Sequence, residues 1–171
     1  MADRYATQVA PAGLVIGALL GMAGTFVQSD STRGLLWGLD GTALIVATAI
    51  LTIHHVRRGN DAVAAGFLVF VAAESLIVAG SAMDLEAVRP LFAAGAALWA
   101  ASMTLVSAPR VMPSWLRAVS VVGAVLFLVV AVQIFTGSPL TPLTRPLPFF
   151  AFPFLAATLI GWAWTHARST A

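Results

Sequence analysis

The sequence predicts an all-α fold, a polytopic membrane protein in which six transmembrane helices form a single bundle. Composition is the first reason: 60% of the 171 residues are hydrophobic, only 9% are charged, and the mean hydropathy is +0.94. A soluble domain is about half apolar and about a quarter charged, so this chain has too few charges to cover a water-facing surface. The apolar residues also form long continuous runs, which favour membrane helices over the short alternating segments of a β-barrel.

Six apolar runs follow one another along the chain, and each is long enough to cross the hydrocarbon core, which takes about 20 residues. They cover residues 9–28, 35–56, 61–82, 90–108, 115–136 and 149–167. Inside lipid each run is expected to be helical, because a helix pairs its backbone polar groups within its own segment. The short connections leave no room for a soluble catalytic module, so residues 1–171 are predicted to form one domain.

The first run is expected to be a retained helix rather than a signal peptide. Asp3 accompanies Arg4 ahead of it, and no clear small-x-small cleavage site follows it. It carries a stripe of glycines at every fourth position, namely Gly13, Gly17 and Gly21. Such a stripe lets another helix approach closely; we favour packing inside the bundle, with a homodimer or larger membrane complex as the alternative.

Turn residues define the connections that follow. Gly59 is able to take a positive φ after the second helix, and Asn60 or Asp61 is expected to cap the third. Two helices joined by so short a turn are antiparallel neighbours.

Prolines shape the later connections. Pro109 and Pro113 end the fourth helix and shape the turn before the fifth. Residues 137–148 contain four prolines and are predicted to be the longest, extended or turn-rich connection. Pro153 is expected to kink the sixth helix.

The arginines indicate an orientation. With the N-terminus inside, the inner segments carry twice as many arginines as the outer loops, which predicts both termini in the cytoplasm. The inner arginines are Arg4, Arg57, Arg58, Arg110, Arg117 and Arg168, and the outer ones are Arg33, Arg89 and Arg145. A chain rich in alanine and arginine but free of lysine indicates a bacterial source, hence the bacterial inner membrane. Because the basic residues are scattered, no nucleic-acid partner is predicted.

Glu74 is the most informative single residue, because it lies inside the apolar run of residues 67–78. A charged side chain at such a depth costs at least about 2.5 kcal/mol, so it is expected to face the bundle interior as a candidate proton carrier. The alternative is a hydrogen-bonded carboxyl that joins helices. Trp99, near the middle of the fourth helix, is expected to pack between helices and to need a partner for its N–H.

Asp40 lies on the neighbouring helix, and we place it about 7.5 Å in from the same side as Glu74. Both carboxyls are then at similar depth and could form one acidic site for a cation or a proton. The alternative is that Asp40 only marks the start of the second helix, where aspartate is favoured.

His54 and His55 close the second helix. Asp40 and His54 are fourteen residues apart and share one helix face, so a polar path past Thr48 and Thr52 is a candidate proton route. The alternative is that the histidines are only polar residues at headgroup level.

Metal and haem sites receive little support. Consecutive residues on a helix point about 100° apart, so His54 and His55 are not expected to share a metal. His166 lies at the same level as a possible second ligand, but no spacing requires it. The sequence therefore predicts no metal site and leaves the cofactors open.

Three hypotheses for the function follow. The first is a proton- or cation-coupled small-solute transporter that uses the acidic site; the second is a non-catalytic membrane subunit, assembly factor or scaffold; the third is a lipid-modifying or haem-binding membrane protein. The absence of cysteine excludes thiol chemistry. No phosphate-binding glycine loop, HExxH zinc helix or serine nucleophile elbow occurs, which argues against an enzyme.

Overall fold

The computed structural model describes the backbone of residues 5–81, 83–138 and 147–168, and their side chains except at positions 85 and 147–149. This described part is all-helical, with no strands. A π-helical turn, Tyr5–Val9, leads into the first helix. The helices are α1 (Ala10–Phe26), α2 (Asp30–Arg57), α3 (Asp61–Gly80), α4 (Leu85–Ser107), α5 (Ser114–Phe135) and α6 (Leu147–Arg168).

The predicted all-α class is confirmed, and each predicted run overlaps with one helix. Five helices of the described part, the first counted from the π-helical turn, are long and apolar enough to cross a membrane. Arg4, Arg145 and most of the proline-rich connection, residues 139–146, lie outside the described residues. The orientation of the chain remains a prediction.

Two helices begin earlier than predicted because polar caps precede the apolar runs. Helix α2 starts at Asp30, since the Ser29 hydroxyl accepts a hydrogen bond from the Thr32 N–H. Helix α4 starts at Leu85, since the Asp84 carboxylate accepts from two backbone N–H groups of the first turn. Pro90, where the fourth run was expected to begin, therefore lies inside α4.

The turn between α2 and α3 is only partly as predicted. Gly59 adopts a φ of 70°, the left-handed conformation that glycine reaches at little cost. Asn60 occupies the N-cap position of α3, but its side chain makes no capping hydrogen bond. Its amide nitrogen instead lies 3.5 Å from Nδ1 of His55.

The helices form a closed ring. Each packs against its neighbours in sequence, and α1 also packs against α6. The chain turns at residues 27–29 and next to residues 81, 83 and 84 at one end of this ring, which we call the Arg33 end. It turns at residues 58–60 and 108–113 at the other, which we call the histidine end.

Helix α2 approaches the turn after α3 so closely that one glycine has no room for a side chain. A Cβ on Gly34 would lie 2.6 Å from the backbone oxygen of Ser81. That oxygen cannot move aside unless the backbone around Ser81 also shifts. A Cβ on Gly38, one turn later, would lie 3.6 Å from the Ser81 hydroxyl, an ordinary contact. Gly34→Ala is therefore expected to destabilise the fold by about 1–3 kcal/mol.

Thermal unfolding of the purified protein in detergent micelles measures this effect. Gly38→Ala is the matched control, because it changes the same helix in the same way without the clash, and it is expected to be neutral or slightly stabilising. Equal unfolding temperatures for the two variants would contradict the close approach.

Candidate functional site

Glu74 lies inside the bundle and is held by only one of its two oxygens. Its side chain is 1% exposed, and Oε1 accepts a hydrogen bond of 2.7 Å from the indole Nε1 of Trp99. This bond joins α3 to α4 and gives the Trp99 N–H the partner it was expected to need. Oε2 is equally buried and has no hydrogen-bond partner. A role in joining helices therefore explains one oxygen of Glu74 and leaves the other unexplained.

Asp40 is also buried, and it is deeper in its helix than predicted. It follows the first residue of α2 by ten positions, about 15 Å along the axis, because the Ser29 cap starts the helix early. The interpretation of Asp40 as a helix-start residue is therefore wrong. Its carboxylate lies against Gly21 of α1, where a Cβ would be 2.8 Å from Oδ2.

The two carboxyls line one cavity. Its volume is about 30 Å³, and both Asp40 and Glu74 are in its wall. That space holds about two water molecules. The other lining residues in the described part carry no side-chain oxygen: they are Gly17, Ala18, Gly21, Met22, Leu44, Trp99, Phe152, Leu155, Ala156 and Leu159. The cavity is thus a small acidic site with apolar walls, and in this conformation it is too small for an organic solute.

The glycine stripe of α1 faces α2. A Cβ on Gly13 would lie 3.0 Å from atoms of Ala43 and Ala47, and one on Gly17 would overlap the side chain of Leu44. Gly21 lies one turn further along α1, and because it has no side chain the Asp40 carboxylate can pack against it. The stripe therefore packs on α2, with Gly17 buried and Gly13 and Gly21 half-buried, and it both brings the two helices together and shapes the acidic cavity.

The histidines form a separate cluster at the histidine end. His54, His55 and His166 are all buried among the helices rather than exposed on the outer surface of the bundle. Nε2 of His55 lies 3.0 Å from Nε2 of His166, which joins α2 to α6. The described residues contain no group of three or more metal-ligating side chains arranged to hold a metal ion.

The hydrogen bonds of this cluster fix its proton positions. A carbonyl oxygen only accepts, so Nδ1–H of His166 donates to the Trp162 oxygen at 2.7 Å. Nε2 of a neutral His166 must then accept, and Nε2–H of His55 donates to it. His55 in turn accepts at Nδ1 from the Asn60 amide. The chain runs in one direction and ends on a carbonyl that cannot pass a proton on.

The predicted polar path along α2 is interrupted. The hydroxyls of Thr48 and Thr52 donate to backbone oxygens one turn earlier in their own helix. Besides the threonines, four fully buried apolar or aromatic side chains lie between the acids and the histidines: Leu51, Phe67, Phe70 and Trp162. Trp162 contacts both phenylalanines, at ring-centroid distances of 5.0 and 5.9 Å, and Phe67 stacks on His55.

The four predicted site residues therefore divide into two groups. Asp40 and Glu74 share one cavity, whereas His54 and His55 lie beyond a dry aromatic layer. The sequence did not predict that layer, because tryptophan and phenylalanine occur in membrane helices both inside a bundle and on its lipid-facing surface. Comparisons with protein-family models, with curated proteins and with solved structures found no match to this chain.

Proposed function

We propose that this protein moves protons across a bacterial inner membrane through its acid pair. In this proposal all six helices cross the bilayer, and both termini lie in the cytoplasm. The observation that carries the proposal is the placement of Asp40 and Glu74 on neighbouring helices, around one water-sized cavity with otherwise apolar walls.

The open oxygen of Glu74 supports a functional role over a purely structural one. Buried polar atoms in folded proteins are hydrogen-bonded in the great majority of cases, because leaving one unpaired costs about 1–3 kcal/mol. Oε2 of Glu74 is left unpaired beside a second carboxyl. Two carboxyls that share one small cavity titrate as a coupled pair, so that the proton bound by one affects its binding by the other, which is the chemistry of a proton site.

The donor set favours the proton over a metal cation. Hard cations such as Mg²⁺ and Ca²⁺ take about six or more oxygen ligands. The pair offers four carboxyl oxygens, of which one already accepts from Trp99, and the other described lining residues add no side-chain oxygen. A proton needs only one oxygen and a neighbouring acceptor.

No observation in the described part of the structure specifically favours the alternative functions. The glycine stripe of α1 suggested a homodimer or a membrane subunit, but in the structure these glycines pack against α2 of the same chain. A haem-binding role would use the histidine nitrogens, and Nε2 of His55 and Nε2 of His166 are bonded to each other. We therefore retain proton movement as the proposed function.

The test is the decay of an imposed pH gradient in proteoliposomes, followed with an entrapped pH-sensitive dye while potassium and valinomycin clamp the membrane potential. Vesicles that contain the protein are expected to lose the gradient faster than protein-free vesicles. Equal decay in both would contradict the proposal.

Gly21 offers a test that leaves both carboxyls in place. In Gly21→Ala the new Cβ would lie 2.8 Å from Oδ2 of Asp40, so the carboxylate must move away from its position in the cavity. Because displacement of a reacting group by about 1 Å can cost up to about a hundredfold in rate, we expect a tenfold to hundredfold slower flux.

Gly13→Ala is the matched control for this variant. It tightens the same contact between α1 and α2, where a Cβ would lie 3.0 Å from Ala43 and Ala47, but it is far from the acids. Its flux is expected to remain near that of the parent. Equal loss of flux in both variants would assign the effect to helix packing rather than to Asp40.

A further inference from the structure

Trp37 lies about one turn of α2 closer to the Arg33 end than Asp40 does. It precedes Asp40 by three residues on α2, so the two side chains lie about one turn apart on the same side of the helix. Its indole lies against Gly24 of α1, where a Cβ would be 2.6 Å from ring atoms Cδ1 and Nε1. Helix α1 therefore leaves room for the indole at Gly24 as it leaves room for the carboxylate at Gly21.

Trp37 also borders a space near the Arg33 end. Trp37 lines a second small cavity of about 20 Å³ together with Arg33 and Gly34. Gly34 also lines an open groove of about 540 Å³, whose wall includes Asp30 and Asp84. Asp30 and Asp84 thus place two carboxylates at this mouth, of which that of Asp30 is paired with Arg33. Along α2, Trp37 is thus the aromatic side chain that lies between Asp40 and the open groove that Gly34 lines.

Arg33 covers the indole. It is only 5% exposed, and its guanidinium carbon lies 5.6 Å from the centroid of the Trp37 ring, a cation–π contact. One guanidinium nitrogen pairs with the exposed carboxylate of Asp30, whereas Nη1 is buried and has no partner. A buried N–H group without an acceptor costs free energy. The free-energy cost at Arg33 would be relieved if its side chain turned out into the groove, where water can accept the hydrogen bond.

We propose that Trp37 is the gate through which water at the Arg33 end reaches the acid pair, and that Arg33 with Asp30 holds it closed. The opposite side is less accessible, because Leu51, Phe70 and Trp162 lie between the acids and the histidine end. The inference deepens the proposed function by naming the side from which its site is reached. Its test concerns access alone and does not require that protons cross the membrane.

The chain contains no cysteine, so a single introduced cysteine is the only thiol. Ala18 lines the acidic cavity and is 4% exposed, which makes Ala18→Cys a reporter of access. The measurement is the rate at which a small charged methanethiosulfonate labels this cysteine in the full-length protein in detergent micelles. Labelling is expected to be slow with Trp37 present and about tenfold or more faster in Trp37→Ala, because local opening governs the exposure of a buried group.

Two further variants make the test specific. Arg33→Gln keeps the indole and removes its cover, so a smaller acceleration is expected. Trp164→Ala is the matched control, since Trp164 also lies under an arginine, Arg168 at 4.3 Å, but belongs to the histidine end. No acceleration is expected there.

Unchanged labelling in both Trp37→Ala and Arg33→Gln, or equal acceleration in Trp164→Ala, would overturn the gate. Thermal unfolding checks that each variant is folded; if Trp37→Ala is not, Trp37→Phe and Arg33→Gln carry the test. Labelling that follows these expectations without any proton flux would keep the gate and contradict the proposed function. If proton flux depends on Glu74 but the labelling rate does not change in Trp37→Ala, the proposed function is supported and the gate is contradicted.

Discussion

Replacement of Glu74 by glutamine is expected to stop proton flux while the protein remains folded. Glutamine has the same shape and keeps an oxygen that accepts the hydrogen bond from Trp99, so the link between α3 and α4 persists. What it loses is the ability to bind and release a proton in the cavity. Because a positioned acid or base contributes about a hundredfold or more to proton transfer, the flux should fall to near the level of protein-free vesicles.

The pH-gradient assay measures this loss, and thermal unfolding of the same samples separates function from structure. Asp40→Asn is expected to act in the same way, since its carboxyl lines the same cavity. Glu86→Gln is the matched control, because Glu86 is an exposed acid paired with Arg89 outside the bundle interior, and its flux should be unchanged. Parent-level flux in both cavity variants would contradict the proposed function. Loss of stability without loss of flux in Glu74→Gln would assign Glu74 to helix packing.

The acid pair could be predicted because its geometry is local. Helices α2 and α3 are joined by a short turn, so residues at matched distances from that turn lie at similar depth. Asp40 lies 17 residues before the end of α2 and Glu74 lies 13 residues after the start of α3, so this relation already places them at comparable depth. The error in the depth of Asp40 also has a local cause, since the Ser29 cap extends α2 by five residues beyond its apolar run.

Contacts between distant segments could not be predicted from the sequence. In a soluble protein the apolar face of a helix marks the interior, but in lipid both faces are apolar and the pattern loses that information. Helix α2 illustrates this: Leu44 and Leu51 are buried, whereas Leu39, Val46 and Ile53 are exposed and equally apolar. The pairing of His55 with His166 depends on the closure of the ring by α1 and α6, which no short-range pattern encodes.

The dry layer between the acids and the histidines leads to the second large expected effect. Trp162 is fully buried and contacts Phe67 and Phe70. Trp162→Ala removes the whole indole from this layer, and we expect it to destabilise the fold by about 3–5 kcal/mol, the usual cost of truncating a buried aromatic side chain to alanine. The backbone oxygen that accepts from His166 is retained, so the loss is one of packing. Thermal unfolding in micelles measures it.

Trp164→Ala supplies the matched control, because the same residue type on the same helix is 42% exposed and leaves no enclosed cavity when it is truncated. Its effect should be much smaller. Trp162→Phe should recover most of the stability, since the indole Nε1 of Trp162 has no hydrogen-bond partner to lose. If Trp162→Phe were as unstable as Trp162→Ala, the indole N–H rather than the packed ring would be what stabilises this layer. The layer would then contain a polar contact, and the separation between the acid cavity and the histidine cluster would no longer be dry.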